Sequence, residues 1–163
     1  MVPGIAGARS LSEAGVDRVA ELQDAAINYE DAARTQESLA QSLLDTANPS
    51  PPEEERGDRD RRLRQNAALH VQASDQLMGA VSNWDHAVRV WQAAAGNVRE
   101  AVAKDYFAQN ARKARSRATA RARRAAELAE QAALLYAEAG DMQGQIQASH
   151  KAGKVREHLA GRR

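Results

Sequence analysis

A chain of 163 residues is long enough to bury a core of its own, and without cysteine it has no disulfide framework, thiolate metal site or thiol nucleophile. Its 43% apolar content rests mainly on alanine, with one Phe, three Tyr and two Trp, a composition that favours long helices over sheets. The formal net charge is +1, yet residues 1–57 carry eleven carboxylates against four arginines while the remainder carries nineteen cations against eleven carboxylates, so the two parts can neutralise each other if packed together.

The opening MVPGIAGARSL has one basic residue and no sustained apolar stretch, and no run approaches membrane-spanning length. Neither a secretory signal nor a membrane segment is expected, and the lack of cysteine makes a reducing cytoplasm the expected setting. Residues 1–9 are expected to be a flexible N-terminus, 10–160 a single helical domain and 161–163 a flexible C-terminus.

The first helix is expected over about 11–47. Ser10 and Glu13 have the spacing of a capping box, in which each side chain bonds the other's backbone amide. From there Val19, Leu22, Ala26, Tyr29, Ala33, Gln36, Ala40 and Leu43 keep a 3,4 spacing, a heptad seam, until Pro49 stops the helix. Ser50, Pro51, Pro52 and Glu53 then read as a second helix start, with a Ser cap and proline at the first helical position.

The second helix, about 51–95, has the longest seam: Leu63, Ala67, His70, Ser74, Leu77, Val81, Trp84, Val88, Trp91 and Ala95. Gly96 is expected to end it in a left-handed turn, with Asn97 capping a third helix over about 98–139. Val98 and Val102 form a first stripe there. A shifted register follows from Phe107 through Ala111, Ala114, Ala118, Arg121, Ala125, Leu128, Ala132 and Leu135 to Ala139. Gly140 and Asp141 close it and cap a shorter fourth helix over about 142–159. Short connections between long helices predict an all-α, elongated antiparallel bundle of three long helices plus one short C-terminal helix.

Nothing in this pattern carries catalysis. No Gly-rich phosphate loop, Gly-x-Ser-x-Gly elbow or metalloprotease helix motif occurs, and no Glu-x-x-His pair supports a bundle metal site. His70 falls on the second seam as a core histidine, His86 has no nucleophile at helical spacing, and His150 and His158 lie eight apart. No catalytic residue, metal, cofactor or small-molecule substrate is therefore expected. Trp84 and Trp91, one heptad apart with Val88 between them, are expected to be core anchors or, if exposed, protein-interface anchors.

The segment Gln109–Ala126 is the most charged. Ala111, Ala114, Ala118, Ala122 and Ala125 share one side of the helix, and Arg112, Lys113, Arg115, Arg117, Arg121, Arg123 and Arg124 spread over the rest with no carboxylate among them. Seven such cations on phosphates would give a log-log salt slope of about −5 to −6. No aromatic residue between Phe107 and Tyr136 offers base stacking, and the alternative use of these cations is an acidic partner, including helix one. The opposite face is too weakly apolar to insert into a membrane.

Residues 125–155 resemble a tetratricopeptide-type helical hairpin: Ala133 at the small position, Tyr136 at the tyrosine position, Gly140 and Asp141 at the turn, Ala148 and Ala152 on the second helix. The chain departs from that pattern at Ala129, Gln145 and Ser149 and holds no second copy. The resemblance implies a helical scaffold for peptide or protein binding. The sequence is accordingly read as a non-enzymatic module for protein association, self-association included, with contact supplied by Trp84, Val88, Trp91 and the Ala111–Leu135 seam. The alternative is a nucleic-acid accessory protein that contacts phosphates through the basic helix.

Overall fold

The computed structural model describes residues 5–51 and 53–162, with side chains described from residue 15 onward. The fold is all-α: four helices, α1 (Ile5–Asp45), α2 (Arg56–Asn97), α3 (Ala101–Glu138) and α4 (Met142–Ala160), form a bundle, and no strand occurs among the described residues. No helix there is long and apolar enough to cross a membrane.

α2 packs against both α1 and α3, and α4 packs against α3. Pairs across α1 and α2 run in opposite sequence order, with Glu30 meeting Trp91, Glu37 meeting Trp84 and Asn48 meeting Asn66. α2 and α3 do likewise, from Trp91 on Phe107 to Ser74 on Ala125 and Arg59 on Glu138. α4 returns along α3 and also reaches α2 through the ion pairs Lys151–Asp75 and Arg162–Asp85.

The expected seams are the buried ones. On α1, Leu22, Ala26, Ala33 and Ala40 are buried, with Val19, Tyr29, Gln36 and Leu43 half-buried between them. Of the α2 seam only His70 and Ala95 are not fully buried. A second α2 column was not anticipated: Asn66, Ala73, Ala80, Ala87 and Ala94 recur every seven residues and are also buried. A helix with one neighbour needs one apolar stripe, and α2 has two neighbours. Likewise α3 adds buried Ala126, Ala129 and Ala133 to its expected apolar positions, and Val155 of α4 packs in one cluster with Ala126 and Ala148 in another with Ala133.

Element ends differ from expectation more than element interiors. α1 is helical from Ile5, upstream of the expected Ser10 cap. The capping-box side chains of Ser10 and Glu13 lie outside the described residues, as does Pro52. α2 starts at Arg56, not near 51, with Glu55 at its N-cap position and no side-chain cap bond. The hydroxyl of Ser50 instead accepts from Arg62, which also donates to Glu54. Asn66 then clamps the connection from below: its side chain accepts from the Asn48 amide and donates to the Asn48 carbonyl, both at 2.9 Å. Buried polar Asn66 thereby satisfies backbone groups that the break at Pro49 leaves open.

Gly96 does not terminate α2, which continues through Asn97, whose side chain donates back to the Ala93 carbonyl instead of capping α3. α3 opens three residues later than expected and Val102 is 83% exposed, so the Val98–Val102 stripe is not a core stripe. The Gly140 turn is the one expected. Gly140 has φ 69°, its amide donates to the Ala137 carbonyl, and the Asp141 amide donates to the Tyr136 carbonyl. These two bonds make a Schellman motif. Asp141 then caps α4 by accepting from the Gly144 amide at 2.9 Å.

Because a left-handed backbone costs a residue with a Cβ about 1–2 kcal/mol, Gly140→Ala is expected to lower stability by roughly that amount. Urea unfolding checks this: the midpoint should fall while the slope against urea stays the same.

Candidate functional site

Two heptad pairs meet at the centre of the bundle. Trp84 and Trp91 of α2 are 1% and 3% exposed, and each indole N–H still needs an acceptor. Glu37 and Glu30, also seven residues apart, supply it from α1: Trp84 Nε1 donates to Glu37 Oε1 at 2.7 Å and Trp91 Nε1 to Glu30 Oε1 at 2.9 Å. Leaving either N–H buried and unpaired would cost about 1–3 kcal/mol.

Cations close around these carboxylates. Arg34, one turn from each glutamate, donates to Glu30 at 3.0 Å and to Asp31 at 2.7 Å and lies 5.6 Å from the Trp84 ring centroid. From α3, Arg117 sits 4.9 Å over the same ring, and Arg121 pairs with Glu37 at 2.8 Å. Burial alone would push the Glu37 carboxyl up. Hydrogen bonds from Arg121 and Trp84 and the charges of Arg121 and Arg117 outweigh it and hold the carboxyl below the ordinary carboxylate range.

The basic helix is thus divided. Arg117 and Arg121 turn to the tryptophan–glutamate seam, and Arg124 pairs with Glu127 at 3.2 Å. Arg112 is 3.7 Å from Asp105, both well exposed. Lys113, Arg115 and Arg123 are exposed, with no carboxylate partner among the described residues. Trp84, Val88 and Trp91 are buried against this chain's own helices, as are Ala111, Ala114, Ala118, Ala125, Leu128 and Ala132. For Trp84, Val88 and Trp91 this is the core-anchor alternative of the two roles expected of them.

On the opposite flank, Arg115 and Arg123 are joined by arginines from other helices. A cleft of about 580 Å³ is lined by Thr119, Arg123, Arg156, Leu159, Ala160 and Arg162. A neighbouring cleft of about 330 Å³ is lined by Asp85, Val88, Arg89, Gln92, Arg115, Gly161 and Arg162. Arg162 borders both. It pairs with Asp85 and lies 2.9 Å from His158 Nε2, and Arg156 donates to Glu130 at 2.6 Å.

Sequence reasoning missed Glu30, Glu37, Arg89, Arg156 and Arg162. The glutamates had a usable signal, a seven-residue spacing equal to that of the tryptophans on the neighbouring helix. The three arginines, on α2, on α4 and in the turn that follows α4, had none. Of the histidines, His70 and His86 place Nδ1 2.8 and 2.7 Å from the carbonyls of Asn66 and Ser82, and the His86 ring stacks on Tyr29 at 5.0 Å. Among the described residues no three His, Asp or Glu side chains group as metal ligands do.

A carboxyl whose pKa is lowered on folding stabilises the fold fully above its unfolded value, and that stabilisation is lost as pH falls through the folded value. The protein should therefore lose stability as pH falls below the ordinary glutamate value of about 4.3. Glu37→Gln should start less stable at neutral pH and fall less steeply on acidification in pH-dependent thermal melts. No protein-family model matches the chain, and neither a curated protein nor a solved structure matches it.

Proposed function

We propose that this chain is a non-enzymatic association module: an elongated antiparallel helical bundle that pairs with a second copy of itself in a cytoplasmic setting. The observation that carries this is the placement of large apolar side chains beside the α3–α4 turn. Leu134, Met142 and Ile146 are 71%, 73% and 62% exposed, while the core positions next to them, Ala132, Ala133 and Ala148, are alanine. A chain with a thin alanine core that leaves leucine, methionine and isoleucine outside keeps hydrophobic free energy in reserve for a partner. A second copy is the occupant favoured here, because an apolar patch on a two-fold axis meets itself without needing charge complementarity.

The hairpin from Ala125 to Val155 supports the same reading. Tyr136 lies against Gly144 so closely that a Cβ there would fall 2.5 Å from the ring, and Ala133, Ala148 and Ala152 are buried between the two helices. Close packing of this hairpin supports reading it as a helical scaffold, the role in peptide or protein binding that the tetratricopeptide-type resemblance implies. A second reading, accessory contact with nucleic-acid phosphates, is favoured by Arg115 and Arg123, which face solvent without a carboxylate partner among the described residues.

Sedimentation equilibrium tests the association. A dimer is expected that persists at high salt, since burial of apolar surface is not screened. Leu134→Asp combined with Ile146→Asp should yield a folded monomer. A wild-type protein that is monomeric at every concentration and salt would remove the proposal.

A further inference from the structure

We infer that the flank formed by α2, α3 and α4 around Arg162 is a binding site for the phosphodiester backbone of nucleic acid, and that the remainder of the basic helix is not part of it. The inference stands independently of self-association, because it uses different side chains on a different part of the bundle.

Three observations support it. First, the seven cations of the basic segment do not act as one face: Arg117 and Arg121 are committed to Trp84 and Glu37. Cations held inward against a half-buried carboxylate and an indole ring would have to give up those contacts to reach a phosphate. Second, the flank recruits guanidinium groups from outside the segment, so that Arg89, Arg115, Arg123, Arg156 and Arg162 face only Asp85 and Glu130 as paired carboxylates. The planar guanidinium fork matches phosphate oxygens two at a time. Third, half-buried Arg162 is held at the junction of the two clefts by Asp85 and lines both, so the cations of the two clefts form one continuous flank.

The spacing selects the ligand. Arg115 and Arg123 are eight residues apart on α3, about 12 Å along its axis, too far to converge on one phosphate. Arg162 lies between them as a wall of both clefts. Cations in series fit consecutive phosphates of a strand. The lining residues include no aromatic side chain, so binding reads no base and shows no sequence preference. A membrane surface is disfavoured because the large exposed apolar residues of α3 and α4, Leu134, Met142 and Ile146 toward their shared turn and Val102 and Tyr106 at the start of α3, line neither cleft.

The test is fluorescence anisotropy of the full chain with labelled mixed-sequence single- and double-stranded oligonucleotides across a salt series. About three phosphates neutralised by the unpaired Arg89, Arg115 and Arg123 predict a log-log slope of about −2 to −3. Arg115→Ala with Arg123→Ala is expected to flatten the slope to about −1 and weaken low-salt binding about tenfold or more. Lys113→Ala with Arg124→Ala removes the same formal charge from the other side of α3 and should leave affinity and slope as in wild type. Circular dichroism melts confirm that both exposed pairs leave the fold intact. Equal losses in the two double variants, a wild-type slope of about −5 or steeper, no binding at low salt, or binding to phosphatidylserine vesicles but not to oligonucleotides would each overturn the inference.

Discussion

The bundle depends on two indole N–H groups being given carboxylate acceptors from another helix. Trp84 and Trp91 are the largest side chains in a core otherwise made mostly of alanine, so they fix the register of α2. Area alone would let them slide, because apolar burial has no direction. The bonds to Glu37 and Glu30 remove that freedom: shifting α1 past α2 would bury two donors without acceptors. Those carboxylates need cations in turn, and Arg34, Arg117 and Arg121 answer from both sides of the seam. Register, charge neutralisation and burial are settled by one set of contacts.

The same contacts explain which parts of the fold could be read from the sequence. Helix interiors were legible because a 3,4 repeat in apolar residues has one physical cause, and every seam residue named on α1 is buried or half-buried. The Gly140 turn was legible because positive φ and the Schellman bonds belong to glycine chemistry. The start of α2 was not. Ser50 carries a cap signature, but Arg62 takes its hydroxyl and the helix begins six residues later, a competition between local and tertiary bonds that no window of sequence displays. The second columns on α2 and α3 were missed for a related reason: alanine is equally at home on either face of a helix, and only the number of neighbours makes it core.

Charge was legible as a sum and not as a pattern. The acidic first third and basic remainder do meet, at Arg121 to Glu37 between α1 and α3 and at Arg62 to Glu54 ahead of α2. Acidic residues elsewhere on α1 pair along their own helix, as Glu21 does with Arg18 and Asp31 with Arg34. Exposed pairs of that kind add little to stability. The cations left over are therefore a property of the fold, gathered at one flank by helices distant in sequence.

The alanine columns have a consequence for how this protein can change over time. Where Ala80, Ala87 and Ala94 line one helix and Ala111, Ala114 and Ala118 another, the methyl group is the whole side chain, and the distance between axes is set by the backbones themselves. A larger residue has no rotamer in which to hide, and a smaller one leaves the helix itself weaker. Drift in such a lineage is then channelled outward, to charge and to exposed apolar residues, while the interior stays fixed at the smallest side chain that still favours a helix. New binding surfaces can come and go on this chain without a single core position being renegotiated.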